Sequence, residues 1–214
     1  MTKDMDAEIP LKTLPRSFYN RSALDVARGL LGHCLLRRIC GAWTGGPIVE
    51  TEAYLRDDPA CHASRGRSKR NETMFGPPGH AYVYLIYGMY YCVNAVCMPE
   101  GVAEAVLIRA IEPRFAPKLM LENRNAAEKN LSNGPGKLCS ALAINRRLNG
   151  IDLCDPASTL IVARDTNRPA LSRVLGPMAV TPRIGITKAA HLPLRFCLKR
   201  SRFLSRPIRE IPPA

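Results

Sequence analysis

The chain has 214 residues, 46% of them hydrophobic, enough for one domain with a sizeable core. Thirty-one Lys and Arg against eighteen Asp and Glu give a net charge of +13, which favours a polyanionic partner through release of condensed counterions. No run of about eighteen apolar residues occurs and no apolar signal core opens the chain, which argues against a transmembrane helix and for an intracellular protein.

The basic residues form neither one polybasic run nor an amphipathic helix, so nucleic acid is expected rather than an anionic membrane surface. Eight cysteines are scattered without a CxxC pair. That pattern predicts buried or half-buried free thiols in a reducing compartment, and neither a metal nor a cofactor is expected.

In chain order, residues 1–15 read as a flexible N-terminal tail. Ser22 and Asp25 resemble a helix start, after which Ala23, Val26, Ala27, Leu30 and Leu31 share one face until Gly32. Cys34 to Cys40 reads as a strand that turns into Ile48–Leu55, a second strand opened by Gly45, Gly46 and Pro47 and closed by Asp57-Asp58-Pro59. Period two puts Val49, Thr51, Ala53 and Leu55 on one face and Ile48, Glu50, Glu52 and Tyr54 on the other. The second face is either a solvated acidic surface or a pair of working carboxylates beside an aromatic ring.

The next loop holds His62 and the cations Arg65, Arg67, Lys69 and Arg70, which suit solvent or phosphate contacts alike. Two β-rich runs then flank Gly88-Met89, as in a hairpin with a type II′ turn. Tyr87 and Met89 sit at its tip, either packed on a neighbouring element or exposed as a wedge of the kind pushed between base steps. Glu104–Ile111 reads as a strand, with Arg109 among apolar neighbours, where a cation needs a carboxylate partner. Leu119–Arg124 reads as a short helix. Asn133-Gly134-Pro135-Gly136-Lys137 leads into another, with Leu138, Ala141, Leu142 and Ile144 inward; its spacing is not that of a P-loop. Residues 145–182 give weak signals. Arg183–Ile186 and Leu194–Leu198 read as late strands, and residues 206–214 as a flexible Pro-rich tail. Neither an internal repeat nor a domain linker is present.

VETEAY (Val49 to Tyr54), the His62 loop, YVYLIYGMYYCVN (Tyr82 to Asn94) and LIRAIEP (Leu107 to Pro113) together resemble the alkyladenine, or 3-methyladenine, DNA glycosylase family. GPGKLCSALAI (Gly134 to Ile144) and PLRF (Pro193 to Phe196) add to a resemblance spanning roughly Leu24 to Leu198. It implies an α+β fold: a single domain (residues 16–205) with a curved antiparallel sheet, surrounding helices and a projecting β-hairpin, unlike the helical glycosylases. It implies a monofunctional enzyme of base excision repair that flips an alkylated or deaminated purine out of double-stranded DNA and excises it by water attack on C1′.

Carried onto these positions, Glu52 is the general base and Arg109 helps hold the water. Tyr54 stacks on one face of the flipped base, His62 and Tyr84 on the other, and Asn94 helps exclude guanine through its amino group. Tyr87 fills the gap in the stack, with Met89 beside it. Glu50 has a structural role, and no lysine in the matching motifs offers a Schiff-base nucleophile. The protein is expected to act as a monomer, in the cytoplasm or nucleoid of a bacterium or the nucleus of a eukaryote. A sugar O-glycosidase using both carboxylates and a non-enzymatic DNA-bending protein using Tyr87 are the rival readings.

Overall fold

The computed structural model describes residues 12–164 and 173–208. Helix α1 (Arg16–Tyr19) is a single turn. Helix α2 (Ala23–Leu30) is capped by Ser22, whose hydroxyl accepts from the Asp25 N–H at 3.3 Å, and it buries Ala23, Val26, Ala27 and Leu30. The tail boundary expected at residue 15 falls too late in the chain. Leu14 is buried, its N–H donates to the Val162 carbonyl at 3.0 Å, and Thr13 bridges to Ala163. An apolar side chain with backbone pairing holds this segment to the sheet; residues 1–11 lie outside the described residues.

Strands β1 (Cys34–Ile39), β2 (Ala42–Tyr54), β3 (Ala81–Ile86), β4 (Tyr90–Cys97), β5 (Glu104–Ile111) and β6 (Leu160–Ala163) run in the order β3-β4-β5-β2-β1-β6. Strand β8 (Arg195–Leu198) pairs with β2 and with β7 (Met178–Thr181), completing an eight-stranded sheet. All these pairings are antiparallel. With helices α3 (Pro117–Asn123) and α4 (Pro135–Ala141) beside α2, the result is an α+β domain around a curled sheet.

β2 is the hub. Ala42–Pro47 pairs with β1, Ile48–Tyr54 pairs with β5, and Glu50–Glu52 also pairs with β8 on the other side. Gly45 and Gly46, expected to open the strand, lie within it and let it pass close to other backbone. A Cβ on Gly45 would come within 2.1 Å of the Leu35 carbonyl oxygen, and one on Gly46 within 1.8 Å of the Glu112 oxygen. Thr44 to Ala53 are all buried, so the strand is covered on both faces and Glu50 and Glu52 do not form a solvated surface.

Strands β3 and β4 form a hairpin in register from Ala81↔Ala95 to Ile86↔Tyr90. Its turn differs from the type II′ expectation. The Met89 N–H bonds to the Ile86 carbonyl at 3.3 Å, and Tyr87 (φ 53°) and Gly88 (φ 71°) are both left-handed, as type I′ requires of its two central residues.

α4 begins at Pro135 and buries Leu138, Cys139 and Ala141, followed by Leu142 and Ile144. Its Gly136 packs against Tyr90, whose Cβ would lie 3.1 Å from any Cβ added there. In the weak stretch, β6 and β7 are only four residues each. The late strand expected over Arg183–Ile186 is absent: the chain turns at Gly185 (φ 77°), and the Ile184 N–H bonds a side chain instead of a ladder partner. β8 falls within the expected Leu194–Leu198. The C-terminal tail expected from residue 206 is anchored at its start, because the Arg206 carbonyl accepts from Arg195 Nη2 at 2.9 Å. Residues 209–214 lie outside the described residues.

Candidate active site

Strand β2 carries its two glutamates into the protein interior beside β5 and β8. The β2–β5 register passes from Glu50↔Ala110 to Thr51↔Ile108, leaving Arg109 as the extra residue of an irregularity. Such bulges re-aim a side chain. Here the Arg109 guanidinium reaches both carboxylates: Nε donates to Glu50 Oε1 at 2.8 Å, and Nη1 lies 3.1 Å from Glu52 Oε2.

Glu50 is saturated. Its Oε1 also accepts from Arg195 Nε at 2.8 Å and from the Ser205 hydroxyl at 2.6 Å, and its Oε2 accepts from the Ser205 N–H at 2.7 Å. Burial alone would push this carboxyl up; Arg109 and Arg195 beside it, with the Ser205 hydrogen bond, outweigh burial and hold it below the ordinary carboxylate value. Glu52 is differently held. Its Oε1 accepts from the Ile184 N–H at 2.7 Å and its Oε2 from the Tyr54 hydroxyl at 2.9 Å. Burial and the Glu52 carboxylate push the Tyr54 hydroxyl far up, so it remains a donor. Burial would lower the Arg109 guanidinium, but Glu52 and Glu50 raise it above its usual value, and it stays charged.

In front of these groups lies a cavity of about 300 Å³. Every expected site residue except Glu52 and Met89 is on its wall: Tyr54, His62, Tyr84, Asn94, Arg109 and Tyr87. Glu52 is fully buried one layer behind, bonded to Tyr54 and Arg109, which are both on the wall. His62 and Tyr84 meet edge to face with centroids 4.5 Å apart, and His62 Nδ1 lies 3.0 Å from the Tyr82 hydroxyl. Partial burial and then the Arg70 cation hold the His62 ring below its ordinary value, which favours the neutral form. The Asn94 side-chain amide donates to the Tyr82 carbonyl at 3.0 Å. Tyr87 (79% exposed) and Met89 (66%) stand in solvent at the hairpin turn, so the tip is not packed on a neighbouring element.

Several contributors escaped the sequence reading. Tyr82 supports His62, and the Ile184–Ile186 turn supplies a wall and the N–H on Glu52. Arg195 and Ser205 complete the Glu50 cluster, and Arg183 lies over the Tyr54 ring, 4.7 Å from its centroid. Arg195 carried the signal that found Arg109, a cation on a strand of apolar neighbours. The others are placed by tertiary packing and leave no local pattern.

A family model described as methylpurine-DNA glycosylase matches residues 17–202. A protein of Methanoculleus marisnigri named "Putative 3-methyladenine DNA glycosylase" is 52% identical over 195 residues, covering 91% of this chain and 99% of its own length. Proteins of the same name are 48% identical in Carboxydothermus hydrogenoformans (90% of this chain, 98% of that one) and 46% identical in Koribacter versatilis (91% and 94%).

Proposed function

The chain belongs to the methylpurine-DNA glycosylase family, and from that membership we propose that it flips an alkylated or deaminated purine, of the 3-methyladenine or hypoxanthine type, out of duplex DNA and hydrolyses its N-glycosidic bond. The observation that carries this reading is the pairing of Glu52 with a ring-lined cavity large enough to admit one nucleobase.

Glu52 is the general base. Arg109, Tyr54 and Ile184 together hold its carboxylate through three contacts, which leaves acceptor capacity for a water molecule, an ionised carboxylate taking about four. That water attacks C1′ as the bond to the base breaks, and the carboxylate also stabilises the positive charge developing on the sugar. Arg109, 3.1 Å from the Glu52 carboxylate, helps orient the water. Tyr54 stacks on one face of the extruded base and the His62–Tyr84 pair on the other, each stack contributing about 1–3 kcal/mol. Asn94, on the cavity wall, would help exclude guanine by meeting its amino group. The projecting hairpin inserts Tyr87, flanked by Met89, into the gap left in the duplex.

One observation supports hydrolysis without strand cleavage, and another disfavours the sugar glycosidase. The cavity wall among the described residues holds no lysine that could form a Schiff base. Glu50, the second carboxylate a sugar glycosidase would need, is locked between two arginines.

Glu52→Gln is expected to bind lesion-containing duplex as the unaltered protein does while losing base release by about 100-fold or more. Single-turnover release from duplexes carrying defined lesions, with binding measured in parallel, checks this; full activity in the variant would refute the assignment.

A further inference from the structure

The Tyr54 side chain borders the cavity. Over the ring, 4.7 Å from its centroid, lies the Arg183 guanidinium, which is completely buried and not part of the cavity wall. Arg183 is clamped. Its Nη1 donates to the Ala53 carbonyl at 3.0 Å and also to Asp58 Oδ2, while Nη2 donates to Asp58 Oδ1 at 3.0 Å. Its Nε has no hydrogen-bond partner, as expected for a guanidinium laid against a ring. Asp58 is itself almost fully buried and also accepts from the Ala60 N–H at 2.9 Å, in the turn that leads to His62. The mechanism above uses neither Arg183 nor Asp58.

We propose that Arg183, with its charge partly offset by Asp58, is a specificity-determining residue that acts through Tyr54 and balances the pocket between cationic and neutral damaged purines. An aromatic face attracts cations through its quadrupole, and a cation already held behind the ring weakens that attraction in front. Adenine methylated at N3 and guanine methylated at N7 carry positive charge when attached to deoxyribose; hypoxanthine does not. Asp58, paired to both Nη atoms, reduces the field that Arg183 projects through the ring. Burial pushes the Tyr54 hydroxyl up, and the Arg183 charge nonetheless acts against that push, so some positive field reaches the ring. The pocket thus accepts cationic bases without depending on their charge.

This inference rests on the glycosylase reading, and one measurement separates the two. In a Glu52→Gln background, affinity is measured for duplexes carrying one 7-methylguanine or one hypoxanthine, at one mildly acidic pH where the methylated base is cationic. Adding Asp58→Asn leaves a bare buried cation behind the ring, and the ratio of 7-methylguanine to hypoxanthine affinity is expected to fall about three- to ten-fold. Adding Asp58→Asn together with Arg183→Met removes both charges, and the ratio is expected to rise about two- to three-fold above that of the background protein. The double variant holds no unpaired buried charge, so it decides the question if the single one melts out. A merely structural clamp would weaken both lesions by the same factor, and an unchanged ratio in the folded double variant overturns the proposal. Failure to prefer either lesion duplex over undamaged DNA would instead sink the glycosylase reading itself.

Discussion

Glu50 and Glu52 are equally shut off from solvent, and what separates them is the company each keeps. Glu50 meets two guanidiniums and both polar groups of Ser205, while Glu52 meets one guanidinium, a hydroxyl and one amide N–H. Removing the Glu50 charge leaves Arg109 and Arg195 under-compensated in the interior. Glu50→Gln is therefore expected to cost about 3–5 kcal/mol of stability, seen as a lowered unfolding midpoint in heat or denaturant. The pH dependence follows from the same cluster. The folded-state carboxyl of Glu50 lies below its unfolded value, so its contribution is present above the ordinary carboxylate range and is lost as pH falls through the folded value. The variant lacks that part of the acid slope, which unfolding measured across acidic pH tests directly. The sequence made Glu50, Glu52 and Arg109 conspicuous because charges on strands with apolar neighbours need partners. Asp58 and Ser205 sit in loops, where a charged or hydroxyl residue is ordinary, Arg183 was read into a strand that does not form, and only the folded chain brings the three to the site.

Among elements, the β3–β4 hairpin and strand β2 do most to shape the site. The hairpin carries Tyr84 and Asn94 inward on its strands while its turn exposes Tyr87 and Met89. Tyr87 has few neighbours to lose, so Tyr87→Ala is expected to leave the melting temperature nearly unchanged. Its expected effect is on lesion-duplex affinity, a loss of about 1–3 kcal/mol, the size of one base–aromatic stack, readable by titration. Loss of stability with unaltered affinity would assign Tyr87 to the fold instead. Long patterned elements were legible from sequence: α2 through its Ser22 cap and apolar face, β5 through its β-rich run, α4 through its Gly-Pro start. The four-residue strands β6 and β7 gave too short a pattern to stand out. Arg183–Ile186 resembled a strand by composition, but Pro182 and Gly185 break its pairing, and the Ile184 N–H is committed to Glu52. Gly45 and Gly46 looked like a strand start because glycine usually marks one, whereas here close backbone approach requires them within the strand.

Over the whole molecule, +13 is far more positive charge than the buried centre uses. At the centre the balance is internal: Glu50 and Glu52 face Arg109 and Arg195, and Asp58 faces Arg183. The remaining excess is available for phosphates, so affinity for duplex DNA is expected to fall steeply and log-linearly with salt, by about 0.9 decades per decade of salt for each phosphate neutralised. Binding isotherms across a salt series check this, and affinity flat from low to physiological salt would contradict it. Fold class and sheet character were legible because the hydrophobic pattern spans the chain; the anchoring through Leu14 and Ser205 was not, since each lies in an irregular segment too short to carry a pattern.

The hydrogen bonds from Ser205 to Glu50, and from Arg195 to the Arg206 carbonyl, also have a temporal meaning. These two residues leave the ribosome after every helix and strand described above has been translated. Until they dock, Glu50 lacks the two hydrogen bonds from Ser205 and Arg195 lacks the Arg206 carbonyl, so closure of this charge cluster is expected to follow the first collapse of the sheet.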